Sequence, residues 1–352
     1  MTNKAGAMRR FLAGCAAGLA LCLGSLQAGA AELRILTWEG LADDAWIKPF
    51  EEEHGVTVKR TYVGSNDEYM AALAAGNSGY DTVVIVSSLA ETAINAGFVE
   101  ALDLSKLPNF SNIYSEFANV AFLKSGDKQF GVPTFWDIQP ITFNTDVVKE
   151  CSFDLLFDPQ YKARIAMWDD VSTLGDVATY LGIENIWTMT DEELARVKAK
   201  MLEQKPLIRR YWSTGGEIIE LFTSGEVVAT NSWSYVTQAL KAEGVAASQC
   251  APKNPNGWVD SHFIVKGSRN MDLAHEFLNY MLRPDVLAQL QQKSGFGVTV
   301  PAIKDHLPAG ALQGTIMESD TEFRNSIRFW EEIPERGKYL EVFNEIKAAA
   351  AE

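Results

Sequence analysis

Residues 82–86, TVVIV, form a run of β-formers with no polar alternation. A strand with one solvated face alternates apolar and polar residues, whereas a strand inside a parallel sheet is covered on both sides and does not. The chain leading up to this run agrees with that reading. Leu33 to Thr37 reads as a short strand, and Asp44 to His54 has helical periodicity that stops at Gly55. Val56 to Tyr62 reads as a second strand and Asp67 to Ala75 as a second helix. Strand, helix, strand, helix, strand implies an α/β chain on a doubly wound parallel sheet. At 352 residues the chain is too long for one ordinary core and suits two lobes.

The stretch GVPTFWDIQPITFN, residues 131–144, carries two prolines among β-formers and suggests the chain leaving one lobe for another. A mostly helical region follows, clearest over Asp191 to Glu203. EVVATNSW (226–233) and WVDSHFIV (258–265) read as strands of the second lobe or of the return to the first, and Met271 to Gly295 as two helices broken at Pro284. The lobes are expected at about 31–140 plus 262–305 and 141–261 plus 306–352. In doubly wound sheets ligands bind beyond the carboxyl ends of the strands, so the loops there are where a site is expected.

The first 30 residues belong to neither lobe. Lys4, Arg9 and Arg10 precede a short apolar run, Phe11 to Leu23, and Ala28-Gly29-Ala30 offers a small-residue cleavage site, the layout of a secretory signal peptide. A periplasmic protein is therefore expected. Removing the leader takes the basic count from 31 to 28 against 46 acids, a net charge of −18. That balance argues against nucleic acid or an anionic membrane as partner and suits a cationic ligand. Cys151 and Cys250 remain, in a compartment that permits a disulfide between them.

Familiar catalytic patterns are missing. There is no G-x-S-x-G elbow, Walker loop or G-x-G-x-x-G after a strand, and the four histidines have no metal-ligand spacing. No cofactor, metal or catalytic residue is expected. The adjacent Asp169 and Asp170 are the best candidates for an acid pair in a secreted hydrolase, although neighbouring loop residues usually diverge.

What the sequence does carry is tryptophan beside acid. Five of nine tryptophans have an acid within the next two positions: Trp38, Trp136, Trp168, Trp258 and Trp330. Along a strand Trp258 and Asp260 share one face. Indole faces attract cations, and a carboxylate accepts the hydrogen bonds of an ammonium while balancing its charge. A cleft lined this way is a cage for an alkylammonium ligand. Trp46, Trp187 and Trp212 have no acid in the next two positions and are expected in the core.

At this point the sequence resembles the periplasmic spermidine/putrescine-binding proteins, the soluble receptors of ABC-type polyamine importers. LTWEG (36–40), GYDTVVIVSS (79–88), LPNFSNI (107–113), GVPTFWDIQPITFN, WVDS (258–261) and NYMLRPDV (279–286) carry the resemblance over nearly the whole chain beyond residue 30. It implies a two-lobed periplasmic-binding-protein fold of type II with the ligand in the interlobe cleft. It implies ligand-stacking walls at Trp38, Trp233 and Trp258 with Trp136 as a fourth, and ammonium partners at Asp170 and Asp260. Polar contacts are implied at Glu39, at Ser87 or Ser88, and at Glu331 after Trp330. The pattern's tyrosine three residues beyond the first tryptophan is Leu41 here, its late tyrosine is Phe296, and its acid beyond Asp170 is Thr173.

The expected role is a monomeric receptor that presents a small cationic amine to an inner-membrane ABC permease and its ATPase. Besides the secreted hydrolase above, two alternatives remain open at this stage. Ser87, Ser88 and Thr173 fall where helices are expected to begin, which favours a carboxylate and hence an ω-amino acid such as γ-aminobutyrate or 5-aminovalerate. A chemosensory receptor would use the same site with a different docking surface.

Overall fold

The computed structural model describes residues 31–350 apart from 39, 64, 65, 77 and 78. The expected signal peptide and Glu39 therefore lie outside the described residues. Strands are β1 (Glu32–Trp38), β2 (Thr57–Val63), β3 (Thr82–Val86), β4 (Gly131–Ile138), β5 (Ile141–Asn144), β6 (Ile165–Trp168), β7 (Ile208–Trp212), β8 (Ala229–Asn231), β9 (Ala247–Cys250), β10 (Asn256–Ile264), β11 (Gly297–Val298) and β12 (Arg328–Phe329). The helices that matter below are α1 (Asp44–His54), α2 (Asn66–Ala74), α3 (Ser87–Asn95), α4 (Ser172–Tyr180), α5 (Asp191–Gln204), α6 (Gly215–Thr223), α7 (Ser234–Ala242), α8 (Met271–Met281), α9 (Pro284–Ser294) and α10 (Arg336–Ala348).

Two sheets divide the chain. The first runs β11-β4-β10-β3-β1-β2 with β12 beside the start of β10, and the second runs β9-β5-β8-β6-β7. In the first sheet β1, β2 and β3 are parallel, as the alternation in the sequence requires, while β10 is antiparallel to both β3 and β4. The sheet is therefore mixed rather than wholly parallel. The second repeats the plan, with β6, β7 and β8 parallel and β5 and β9 antiparallel.

All five residues of β3 are buried, which explains why TVVIV has no polar alternation. Local signals end the helices where the sequence placed them. The Asp43 side chain accepts from Ala45 N–H at the start of α1, and Gly55 closes it at φ 64°, a left-handed conformation that glycine adopts without steric cost. Thr190 and Glu193 form a reciprocal capping box at the start of α5.

The chain passes from the first sheet to the second between Ile138 and Ile141 and returns between Cys250 and Asn256. The return comes earlier than the boundary at 261/262 expected from the sequence, because the whole of β10 pairs inside the first sheet. The disulfide Cys151–Cys250 is formed, with Cα atoms 6.1 Å apart. Cys250 closes the edge strand β9 opposite Ile141, so the bridge ties the segment that follows β5 to the edge of the second sheet where the chain leaves for the first.

Candidate functional site

The parallel strands of each sheet end at a tryptophan or a helix start. Trp38 closes β1, Ser87 follows β3 directly as the first residue of α3, and in the second sheet Trp168 closes β6 and Trp233 precedes α7. β10 runs the other way, so its early residues lie beside those carboxyl ends: Asp260 is opposite Val86, the last residue of β3. A bulge in the pairing with β4 follows Asp260 immediately, an irregularity common beside sites.

Directly opposed residues on neighbouring strands share a face. Asp137 is opposite Trp258, Trp136 opposite Val259, and Phe135 opposite Asp260. Trp258, Asp260, Phe135 and Asp137 therefore share one face and Trp136 takes the other. Trp136 is not a wall of the site. It is fully buried, packs on Phe117 with ring centroids 5.1 Å apart and donates to Val298 O at 3.3 Å. A Cβ on Gly297 would come within 2.4 Å of its ring, so glycine is required there. Phe296 does stand beside Trp258, edge to face at 5.0 Å, and stacks on Phe135.

Trp38 is half-buried against Tyr69, their rings 4.8 Å apart, and Tyr69 OH donates to Leu36 O. Burial and the Asp260 carboxylate together push the Tyr69 phenol well above its usual range, which ties Asp260 electrostatically to the Trp38 corner. Asp260 is 6% exposed, and burial alone pushes its carboxyl up to about 8. Its Oδ1 has no hydrogen-bond partner among the described residues. The Ser87 hydroxyl at the start of α3 is likewise unpaired, and the Thr37 hydroxyl next to the end of β1 lies beside the Tyr69 phenol. Buried polar atoms are paired in the great majority of cases, so unsatisfied oxygens at this sheet edge mark a place where a polar ligand group would be accommodated. Ser88 is only half-buried.

The second lobe supplies an aromatic wall. Trp168 stacks on Trp330 at 5.5 Å and on Trp212 at 6.1 Å, and Trp233 meets both Trp168 and Trp212 edge to face at 5.1 Å. Trp212 is fully buried, as are Trp46 and, nearly so, Trp187. Asp137 joins this wall to Trp258: Ser234 N–H and O–H donate to its two carboxylate oxygens at 2.8 and 2.9 Å, and Ile138 N–H adds a third bond. Burial still lifts the Asp137 carboxyl to about 7 against those bonds.

Several residues expected at the site have other employment. Thr173 is fully buried, its hydroxyl donating to Trp168 O at 2.8 Å and accepting from Asn231 at 3.2 Å, so it braces Trp168 and does not face a ligand. Asn231 also accepts from Trp168 N–H and donates to Asp176, which takes a further bond from Asn256. Asp176, pushed by burial to about 7, thus links α4 of one lobe to the start of β10 in the other. Asp170 is half-buried and accepts from Ser172 N–H at 2.8 Å. Asp169 is held by Lys347 of α10 at 2.6 Å, so the two neighbouring acids serve different partners. Glu331 is exposed, and the inward residue of that segment is Trp330, 8% exposed. Trp168 and Trp330 were both visible in the sequence as acid-flanked tryptophans, but nothing there showed that the two would stack.

Comparison with known proteins agrees with this layout. The family model described as bacterial extracellular solute-binding protein matches residues 45–316. A putrescine-binding periplasmic protein of Escherichia coli is 29% identical over 80% of this chain and 82% of its own length. A putrescine/cadaverine-binding protein of Pseudomonas aeruginosa is 27% identical over 82% of this chain and 86% of its own. The solved structure of a spermidine/putrescine ABC transporter substrate-binding protein from Streptococcus pneumoniae superposes with a TM-score of 0.81 at 23% identity, covering 90% of this chain and 99% of that one. At that identity the structural likeness shows the fold: two α/β lobes of a periplasmic binding protein.

Proposed function

Since the chain belongs to the bacterial extracellular solute-binding protein family, we propose that it is the periplasmic receptor of an ABC importer for a small organic amine of the putrescine and spermidine class. The observation that carries this reading is the buried Asp260 carboxyl beside Trp258, its Oδ1 unpartnered, with the Ser87 hydroxyl unpartnered at the same sheet edge. A primary ammonium has three N–H donors and no acceptor, so it can bond an ionised Asp260 and neighbouring hydroxyl oxygens. The names of the putrescine-binding relatives support the same ligand class.

In this reading Trp258, Trp38 and Phe296 hold the alkyl chain, and their faces favour the charge as well. Asp260 pairs the ammonium, which offsets the dehydration that a closed cleft imposes on a cation. Trp233 and Asp170 come from the second lobe. Rotation about the crossings at 138–141 and 250–256 brings the two walls together, and the closed form docks on the inner-membrane permease with its ATPase. A receptor of this kind releases its ligand unaltered.

A thermal-shift panel with putrescine, cadaverine, spermidine, agmatine, γ-aminobutyrate and 5-aminovalerate tests the reading, because a ligand of the folded state raises the melting midpoint by linkage. Shifts that disappear in Asp260→Asn support it. No shift with any amine, or shifts unaffected by that substitution, would overturn it.

A further inference from the structure

Among the described residues one indole nitrogen, that of Trp330, is both shielded from solvent and unpaired. The ring N–H groups of Trp46, Trp136, Trp187 and Trp212 donate to Leu41 O, Val298 O, Phe329 O and the Thr230 hydroxyl. Trp330 is also buried, at 8% exposure, yet its shielded Nε1 has no hydrogen-bond partner among the described residues. Its position is fixed from two sides. The backbone N–H of Trp330 donates to Gly257 O at 2.8 Å, next to Trp258, and its ring stacks on Trp168 at 5.5 Å and 21°. Gly257 permits this approach: a Cβ there would lie 2.6 Å from Asp137 O and from the Ile327 side chain. The unpaired donor therefore stands where the strand of the Asp260 pole meets the aromatic wall of the second lobe.

An indole N–H can only donate, so it has nothing to offer an ammonium. We propose that the ligand carries a hydrogen-bond acceptor, a carboxylate or hydroxyl oxygen, at the end away from its ammonium, and that Trp330 Nε1–H is the donor that selects it. This rests on the ammonium pole of the amine-binding reading and moves the ligand away from its diamines: a diamine leaves Trp330 unpaired, whereas an amine with a distal oxygen satisfies both poles. A second unpartnered group, the buried Ser172 hydroxyl, opens the nine-residue α4 on the same lobe and can serve the same oxygen. Asp170, two residues earlier, makes that end less welcoming to a full negative charge than to a neutral oxygen, which separates the two acceptor types.

A five-carbon series tests the proposal by calorimetry on the purified protein: pentylamine, cadaverine, 5-aminopentanol and 5-aminovalerate. The expected result is tighter binding of 5-aminopentanol than of pentylamine and cadaverine, with 5-aminovalerate below 5-aminopentanol. In Trp330→Phe that advantage should fall by about three- to ten-fold, the weight of one neutral hydrogen bond, with pentylamine affinity changed less than about two-fold. Pentylamine serves as the internal control for any general loosening of the variant. Equal affinities across the series, or equal losses for all four ligands in Trp330→Phe, would show that Trp330 only packs. Failure of every amine to bind, with Asp260→Asn without effect, would instead remove the amine reading itself.

Discussion

The Asp260 carboxyl makes binding depend on pH in a direction that can be worked out. Burial raises it from 3.8 to about 8, so in the free protein at pH 7 it is mostly protonated. An ammonium placed against it favours the ionised form, so binding expels a proton. The ligand remains cationic up to about pH 9, as a lysine-like amine does. Affinity should then rise with the ionised fraction of Asp260, from about 1% at pH 6 to about 90% at pH 9, a gain of roughly ninety-fold or about 2.7 kcal/mol. His262, pushed down to about 3 by burial, stays neutral throughout and does not contribute. Titration calorimetry with putrescine in two buffers of different ionisation heat measures both quantities. About 0.9 proton should be released per ligand at pH 7, and Asp260→Asn should bind weakly with no release. Affinity that stays level between pH 6 and 8, or proton uptake on binding, would refute the reasoning. The sign for stability is the opposite. A carboxyl whose folded value is raised stabilises the folded state below its unfolded value and loses that contribution as pH rises through the folded one. The free protein should therefore weaken between about pH 4 and 8 and Asp260→Asn should weaken less, visible in melting midpoints.

Other consequences can be checked directly. Trp258→Ala should cost about 1 to 3 kcal/mol of amine binding, the scale of a buried aromatic contact, with an unchanged circular dichroism spectrum; parent-like affinity would exclude it as a wall. Asn256→Ala removes partners from Asp176 and from Thr179, whose hydroxyl donates to Asn256 at 2.9 Å, and should lower stability by about 1 to 3 kcal/mol in urea melts. An unchanged midpoint would mean that the buried link between α4 and β10 carries no energy. Cys151→Ser with Cys250→Ser opens a bridge of sequence separation 99 and should cost about 3 to 5 kcal/mol in the same melts, matched by reduction of the parent.

The sequence read well wherever a local rule decides. Periodicity and caps located α1 and α5, and the missing alternation of TVVIV identified a strand covered on both faces. Strand parity placed Trp258 and Asp260 on one face, and the chain's order put Trp38, Ser87 and Trp233 at strand ends. These conclusions depend on neighbours a few residues away, which the sequence contains.

Other questions depend on neighbours it does not order. Parity says that Trp136 and Asp137 face opposite ways but not which of them looks toward the cleft; the pairing with β10 decided for Asp137. The same applies to Trp330 over Glu331, chosen by the alignment of β12 with Gly257. Thr173 has the right chemistry for a ligand contact, yet Asn231, 58 residues away, occupies its hydroxyl. The stacking of Trp168, Trp212, Trp233 and Trp330 joins four segments whose separations carry no period. The sequence alone thus determined most of the elements and the shared face of Trp258 and Asp260 on β10, because backbone geometry and side-chain type are local properties. Only the tertiary structure decided which members of each pair face the ligand, because burial and hydrogen-bond partnership are set by whatever segment packs against them.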